Sequence, residues 1–259
     1  MLEINQIYQG DCLEIMKLIV DKSISLILCD LPYGVTQNKE DKVIDLEILW
    51  QQYKRIIKDD GVIALTSQFP FTIDLINSNR SMFKYDLIWD KVLVSGFLNA
   101  NRMPLRIHEH ILIFYKKLGT YNPQKTIGEK NHPKGKEKKT ANNNYGEHGF
   151  VDNWEILGDL KHPTSILRIS KPHPNVALHR TEKPVELAEY LIKTYTNKGD
   201  LVLDNCIGSG WTAIACVKTN RKFIGIELRQ KFVDISVQRV MALKAKVKAG
   251  GISPKKLIG

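Results

Sequence analysis

The chain has 259 residues, 43% hydrophobic and 25% charged, enough to bury one large core with room for a smaller inserted lobe. No apolar run approaches a membrane span, and the opening MLEINQIYQG has neither the basic nor the apolar stretch of a signal peptide, so the sequence reads as a cytoplasmic protein with no membrane partner. A formal charge of +10 points to polyanions as partners, while four cysteines (Cys12, Cys29, Cys206, Cys216) without paired ligand spacing argue for reduced thiols and against a metal site.

In chain order, INQIYQG (4–10) and ISLILCD (24–30) read as strands, the second apolar throughout, as expected where both faces of a sheet are covered. That strand breaks into Asp30-Leu31-Pro32-Tyr33-Gly34, more chemistry than a plain turn requires. DLEILWQQYKRIIK (45–58) sets Leu46, Leu49, Trp50, Tyr53 and Ile57 along one helical stripe. Strands follow at GVIALTS (61–67), YDLIWDK (85–91) and EHILIFYK (109–116). Residues 116–144 then hold eight lysines against two glutamates and are rich in Gly, Pro and Asn, which reads as a long loop or mobile lobe. KPVELAEYLIKTY (183–195) is a helix with Pro at its first turn and Leu187, Tyr190 and Leu191 together. DLVLDN (200–205) and KFIGIEL (222–228) are strands, and a last helix over 229–247 turns Val233, Val237, Val240 and Met241 inward. Strands alternating with helices predict an α/β fold with a doubly wound, mostly parallel sheet. Ligands of such sheets gather outside the carboxyl ends of the strands, which puts Asp30 to Gly34 at the rim of a crevice.

DLVLDNCIGSGWTAIACV supplies a ligand for that crevice: strand, glycine turn and helix, in that order. Gly208 and Gly210 permit a tight turn and a close approach of backbone to ligand. The next strand ends on Glu227, seventeen residues past Gly210, where a carboxylate can accept both hydroxyls of a ribose. These features predict a nucleoside site. Gly208-Ser209-Gly210-Trp211-Thr212-Ala213 also satisfies G-x-G-x-x-A, so a nicotinamide oxidoreductase is a rival. About 50 residues then remain, too few for the rest of a dinucleotide domain, and the Asp30 turn is left unexplained. S-adenosylmethionine has an adenosine without a pyrophosphate and needs acceptors for its positive charges, a task that suits Asp204.

Four segments together resemble the β-class amino-methyltransferases of DNA over nearly the whole chain. YQGDCLEIM (8–16) is similar to the family's segment near the cofactor adenine, which implies contacts from Asp11 and Cys12. Asp30-Leu31-Pro32-Tyr33 resembles the catalytic D-P-P-Y motif. HRTEKPVELAEYLI (179–192) resembles the T-x-K-P helix start beside the methionine part, implying Thr181, Lys183 and Pro184, and LDNCIGSGWTAIAC resembles D-P-F-x-G-S-G-T-T, implying Asp204, Cys206, Gly208, Ser209 and Gly210. WDKVLVSGFLNANRMPLRIHEHILIFYKK (89–117) also looks like the family, with Trp89, Lys91, Pro104, His108 and Glu109 in familiar places. Three departures stand out: Leu31 for a common Pro, Asn205-Cys206 for Pro-Phe, and Trp211 for Thr.

The resemblance implies a Rossmann-like fold divided as 1–117 (catalytic half), 118–172 (inserted target-recognition region) and 173–259 (cofactor half). It implies methyl transfer from S-adenosylmethionine to an exocyclic amino group in double-stranded DNA. Asp30 and the Leu31 carbonyl would accept the two N–H bonds of that amino group, and Tyr33 would stack on the extruded base. An acid at position 30 favours adenine-N6, since cytosine-N4 members more often carry Ser there. Lys134, Lys136, Lys138 and Lys139 would contact phosphates, with Arg102, Arg106 and Asn142 to Asn144 as candidates for base readout. A homodimer and a cognate restriction endonuclease stay open as partners. A nucleic-acid-binding module without chemistry is the third class, and the presence of both Asp30 and Tyr33 weighs against it.

Overall fold

The structure, a computed structural model, describes residues 2–34, 42–128, 159–172 and 182–249. The chain opens with β1 (Gln6–Gln9), α1 (Cys12–Met16) and β2 (Ile24–Cys29). Asp11 caps α1 by accepting the Leu13 N–H at 2.7 Å. Asp45 likewise caps α2 (Leu46–Ile56), taking the Glu47 and Ile48 N–H groups. Of the stripe foreseen for this helix, Leu49, Trp50 and Tyr53 are buried together with Ile56; Leu46 is half-buried, and Ile57 lies past the helix as the first residue of the next strand. The chain continues through β3 (Ile57–Ser67), α3 (Phe71–Ser78), β4 (Phe83–Ser95), a single 3-10 turn at Phe97–Asn99, and β5 (Arg106–Phe114). Helix α3 was not foreseen, because eight residues give its periodicity little room.

After β6 (Thr126–Ile127), β7 (Leu160–Lys161) and β8 (Ile166–Arg168) come α4 (Val185–Tyr195), β9 (Leu201–Asp204), α5 (Trp211–Thr219), β10 (Lys222–Glu227) and α6 (Gln230–Lys248). The eight-stranded sheet has the order β1-β10-β9-β2-β3-β5-β4-β8. All its pairings are parallel except the two made by β5, which runs against its neighbours β3 and β4. The sheet is therefore mostly parallel, as expected.

Alternation along the central strands sends side chains to two cores. Leu26, Leu28, Val62, Ala64, Ile111 and Ile113 face the layer containing α4 and α5, together with Leu187, Leu191 and Ala213. Ile27, Cys29, Ile63, Leu65, Leu112 and Phe114 face the layer containing α2 and α3, with Leu49, Tyr53 and Leu75. On α6 the inward stripe is Val233, Ser236 and Val240, while Met241 is 65% exposed, against expectation. One residue past Val240 is a rotation of roughly 100°, which carries Met241 off the stripe.

The chain divides into two compact units, Met1–Asn122 with Ser165–Gly259, and Pro123–Thr164. In the second, β6 and β7 form an antiparallel pair. Of the inserted region expected at 118–172, residues 118–122 and those from 165 onward group with the first unit, where β8 pairs with β4. Among the described residues no helix is long and apolar enough to cross a membrane.

Candidate active site

Topology gathers the site at one edge of the first unit. β1, β2, β9 and β10 run in one direction, so Asp11, Asp30, Asp204 and Glu227 all fall at or just beyond carboxyl ends. Strands β2 and β9 are direct neighbours, with Leu26 opposite Val202 and Ile27 opposite Leu203. This neighbourhood brings the Asp30 turn beside the glycine turn, although 174 residues separate Asp30 from Asp204 in the chain. Because β5 is antiparallel, its starting end lies at the same edge, and that is how Glu109 reaches the site.

Around Asp30 four ionisable side chains form a row. Lys183 Nζ lies 2.8 Å from Asp30 Oδ2 and 3.1 Å from Glu109 Oε2. Glu109 Oε1 in turn meets Lys91 Nζ at 3.2 Å, and Lys91 donates to Ser95 Oγ at 3.1 Å. The other oxygen of Asp30 accepts from the Tyr33 hydroxyl at 2.7 Å and from Thr66 Oγ1. Two lysines thus balance two carboxylates in a largely buried row, the arrangement that makes burial of charge tolerable. Burial favours the neutral form of Glu109, but the Lys183 and Lys91 ammoniums outweigh it and hold its carboxyl below the usual range. For Lys183, burial is outweighed by Asp30 and Glu109, so its proton is held more tightly than usual. At Lys91 burial wins and pulls the pKa down. Tyr33 is pushed well above its ordinary value, by burial and then by the Asp30 and Glu109 charges.

The Tyr33 ring, assigned by the resemblance to the extruded base, stacks on Phe71 of α3 with centroids 5.6 Å apart. Leu31 is buried in the core with α2, so its side chain is turned away from any ligand and only its main chain is on offer. This accounts for a Leu where Pro is common. Pro32 is half-buried between them.

The glycine turn is built differently. Asp204 is fully buried; its oxygens accept the Thr212 hydroxyl at 2.6 Å and the Cys206 N–H at 3.1 Å. Burial pushes its carboxyl up to about 7, against those two hydrogen bonds. Gly208 and Gly210 both have left-handed backbones, at φ +52° and +91°. A Cβ on Gly210 would come within 2.8 Å of Ser236 Cβ, so the turn and α6 pack closely only because both residues are small. Arg239 on α6 donates to the Ser209 carbonyl at 2.6 Å, fixing the turn from behind. Glu227 spans the turn: one oxygen accepts the Gly208 N–H and the other the Arg229 N–H, each at 3.0 Å.

Asn205 and Cys206 replace the family's Pro-Phe with a polar bridge. Asn205 accepts the Tyr53 hydroxyl at 2.6 Å and points its amide at the sulfurs of Cys12 and Cys206, each 3.6 Å away. The contact with Cys206, then burial, keeps the Cys12 thiol protonated, and burial pushes Cys29 up to about 12. These are unreactive thiols, and all four cysteines are unpaired. Trp211 is 3% exposed and packs in the core with Val240 and Leu187, so its bulk belongs to the fold and not to a ligand.

Two expected cofactor residues have protein partners of their own. Lys183, assigned to the methionine carboxylate, pairs with Asp30 and Glu109. Asp204, assigned to the cofactor's positive charge, has no exposed surface and accepts from Thr212 and Cys206 within the turn. Pro184 caps α4 without a side-chain hydrogen bond. Arg106 is exposed and donates to Gln68 at 2.6 Å, and Arg102 is exposed near it on the β4–β5 hairpin. Thr181, Lys134, Lys136, Lys138, Lys139 and Asn142 to Asn144 lie outside the described residues. Sequence reasoning missed Thr66, and noticed Lys91 and Glu109 without giving them a task, because both strands carry other charged residues and nothing in the sequence sets these two apart. Among the described residues no group of three or more His, Cys, Asp or Glu could hold a metal ion.

Comparison with known proteins gives this geometry its context. The chain is 28% identical to the type II methyltransferase M1.MboII of Moraxella bovis over 254 residues, covering 90% of this chain and 95% of that one. It is 26% identical to the DNA adenine methyltransferase YhdJ of Escherichia coli K12, covering 92% and 83% respectively. Among solved structures the fold is similar to the M1.HpyAVI–SAM complex (TM-score 0.59, 22% identity, 90% and 98% of the two chains). It is also similar to the cytosine-N4-specific PvuII DNA methyltransferase (TM-score 0.63, 16% identity, 93% and 91%). The family model described as DNA methylase, of the N6/N4 type, matches residues 24–238. That match spans both the Asp30 turn and the glycine turn and leaves the nicotinamide reading without support: the chain belongs to the N6/N4 family of DNA methylases.

Proposed function

We propose that this protein transfers a methyl group from S-adenosylmethionine to the N6 amino group of adenine at one short sequence in duplex DNA, acting in the cytoplasm on an extruded base. The observation that carries the reading is Asp30, presented at the end of β2 beside the glycine turn and anchored from behind by Lys183 at 2.8 Å. An exocyclic amino nitrogen is a poor nucleophile because its lone pair is delocalised into the ring. Asp30 Oδ1 and the Leu31 carbonyl can accept its two N–H bonds and favour a pyramidal nitrogen whose lone pair is free to attack. Lys183 fixes the opposite oxygen of Asp30, so the carboxylate keeps its orientation while Tyr33 and Thr66 exchange places with the substrate N–H. When bound, the cofactor supplies an electrophilic methyl on a sulfonium.

The residues present fit such a cofactor. Gly208 has no neighbouring atom closer than 4.0 Å to where a Cβ would stand, so the turn is open on its ligand side. Glu227 is partly exposed at the end of β10, next to the Gly10 N–H, which the Glu227 carbonyl accepts at 3.0 Å. We assign the ribose to Glu227, the adenine side to Asp11 and Cys12, and the backbone contacts to Cys206, Gly208, Ser209 and Gly210. Relatives that carry type II names extend to this chain the reading that it shields its site from a cognate endonuclease.

Modification profiling of DNA from cells expressing the protein tests the proposal. N6-methyladenine at one short sequence is expected. N4-methylcytosine would keep the mechanism and correct the base, and unmodified DNA from cells with abundant folded protein would overturn it.

A further inference from the structure

The β4–β5 hairpin carries a set of apolar side chains into solvent. Phe97 is 76% and Leu98 98% exposed, and Val92, Val94, Met103 and Ile107 are exposed around them. The tip is ordered by its own backbone: Gly96, at φ +80°, leads into the 3-10 turn, and Asn99 and Ala100 donate back to Gly96 and Phe97 at 2.9 and 3.0 Å. Between residues 92 and 107 the only charges are Arg102 and Arg106. The tip also starts where the catalytic row ends, because Ser95 accepts from Lys91 at 3.1 Å. Leu98 lies three residues beyond Ser95, within about 10 Å of it along the chain.

We propose that the Phe97–Leu98 turn is a wedge that enters the base stack of duplex DNA beside the target nucleotide and occupies the gap left by its extrusion. The proposal rests on the methyl-transfer reading above. A base inside a duplex cannot reach a methyl donor, so the enzyme must sustain an unstacked state. Proteins that unstack DNA do so with apolar side chains inserted between base steps, flanked by Arg and Asn reaching into the groove. This turn has that composition: Phe97 and Leu98, then Asn99, Asn101 and Arg102. A second copy of the chain suits the tip less well. Self-association buries broad patches depleted of charge at their centre, and an isologous contact would set the same arginine pair on both partners. A protruding side chain between cations fits a polyanion with a gap in it.

The test uses the full chain with both residues changed, Phe97→Ala and Leu98→Ala, on duplexes bearing the site found by modification profiling. Wild-type methylation of the matched duplex establishes the underlying reading before the variant is scored. In the variant, calorimetric affinity for S-adenosylmethionine should be unchanged, and methylation of the matched duplex should fall about tenfold or more. Activity should recover to within about threefold of wild type when the target base faces an abasic site, where less unstacking is required. Undiminished activity on the matched duplex overturns the proposal, as does an equal loss on both duplexes. A loss that follows conversion of a wild-type dimer to a monomer in sedimentation also overturns it and assigns the tip to a second copy.

Discussion

Asp30 and Asp204 close the neighbouring strands β2 and β9, yet their surroundings are opposite. Asp30 keeps some exposure and faces the Lys183 ammonium at 2.8 Å. Asp204 has no exposure; its oxygens accept from neutral groups, the Thr212 hydroxyl and the Cys206 N–H among them, and burial pushes it up to about 7. A carboxylate buried with a cation can serve as a fixed acceptor for a substrate, whereas one buried among neutral donors becomes part of the scaffold. Two acids that look alike at strand ends in the sequence therefore differ in kind: one is held by a cation with an edge still exposed, as the proposed chemistry requires, and the other is enclosed within a turn.

The strongest way to break the comparison is to remove the acid that Lys183 shares with Asp30. Glu109→Gln leaves Lys183 with Asp30 alone and Lys91 with no acid beside it, and should destabilise the protein by about 3–5 kcal/mol, the range for disrupting a buried ion pair. The lower end is expected, because Lys91, whose pKa burial already lowers, can release its proton. Urea unfolding at neutral pH measures it. The depressed pKa of Glu109 means its contribution is present above the ordinary carboxyl range and is lost as pH falls through the lowered native value. Wild type and variant should therefore converge in stability toward acid pH; a gap that stays constant would show that the row carries no such coupling.

Asp204 gives the opposite pH signature. Its native pKa of about 7 lies above the ordinary 3.8, so between these values the folded state holds a proton that the unfolded state has released. Stability from this group is full below about pH 4 and declines as pH rises to 7, by on the order of 4 kcal/mol for a shift of three units. Asp204→Asn keeps an acceptor for the Cys206 N–H and should flatten that decline. The difference in unfolding free energy between wild type and variant, followed from pH 4 to 7, should change steadily, and a flat difference would refute the assignment.

Asp30→Ala should lower methyl transfer roughly a hundred- to thousand-fold, the cost of losing one preorganised electrostatic group, with affinity for S-adenosylmethionine nearly intact. Asp204→Asn should retain transfer. Single-turnover methylation beside calorimetry separates the two, and equal losses in both variants would erase the division between chemistry and scaffold.

What the sequence made legible was local. Asp30 to Tyr33 and Gly208 to Gly210 are contiguous, and each needs only its own strand and turn to be recognised. The β–α alternation showed the parallel sheet for the same reason. The pairing of Lys183 with Asp30 was not legible because its segment names only a helix start, while Asp30 lies 153 residues earlier. Glu109 had no visible task because it reaches the site only through the reversal of β5, a tertiary fact that spacing does not encode. Asp204 was read as a ligand because exposure cannot be seen in a motif.

The smallest effect sharpens the comparison at the level of a single hydroxyl. Tyr33 donates to Asp30 at 2.7 Å and sits 2.9 Å from Thr66 Oγ1, while its ring is held by Phe71. Tyr33→Phe removes the hydroxyl and keeps the stack. Stability should change by about 0.5–1.5 kcal/mol, the net worth of a typical hydrogen bond, since Thr66 still donates to the same Asp30 oxygen. Methyl transfer should stay within about tenfold of wild type, a change of 1.4 kcal/mol or less. The lone pair freed on Asp30 Oδ1 is one that the incoming amino group must claim in any case. That outcome would make the hydroxyl a placeholder for the substrate N–H in the free enzyme. If Tyr33→Phe instead matched Asp30→Ala in single-turnover rate, the hydroxyl itself would be part of the reacting arrangement, and Asp30 alone would not account for the activation of the amino group.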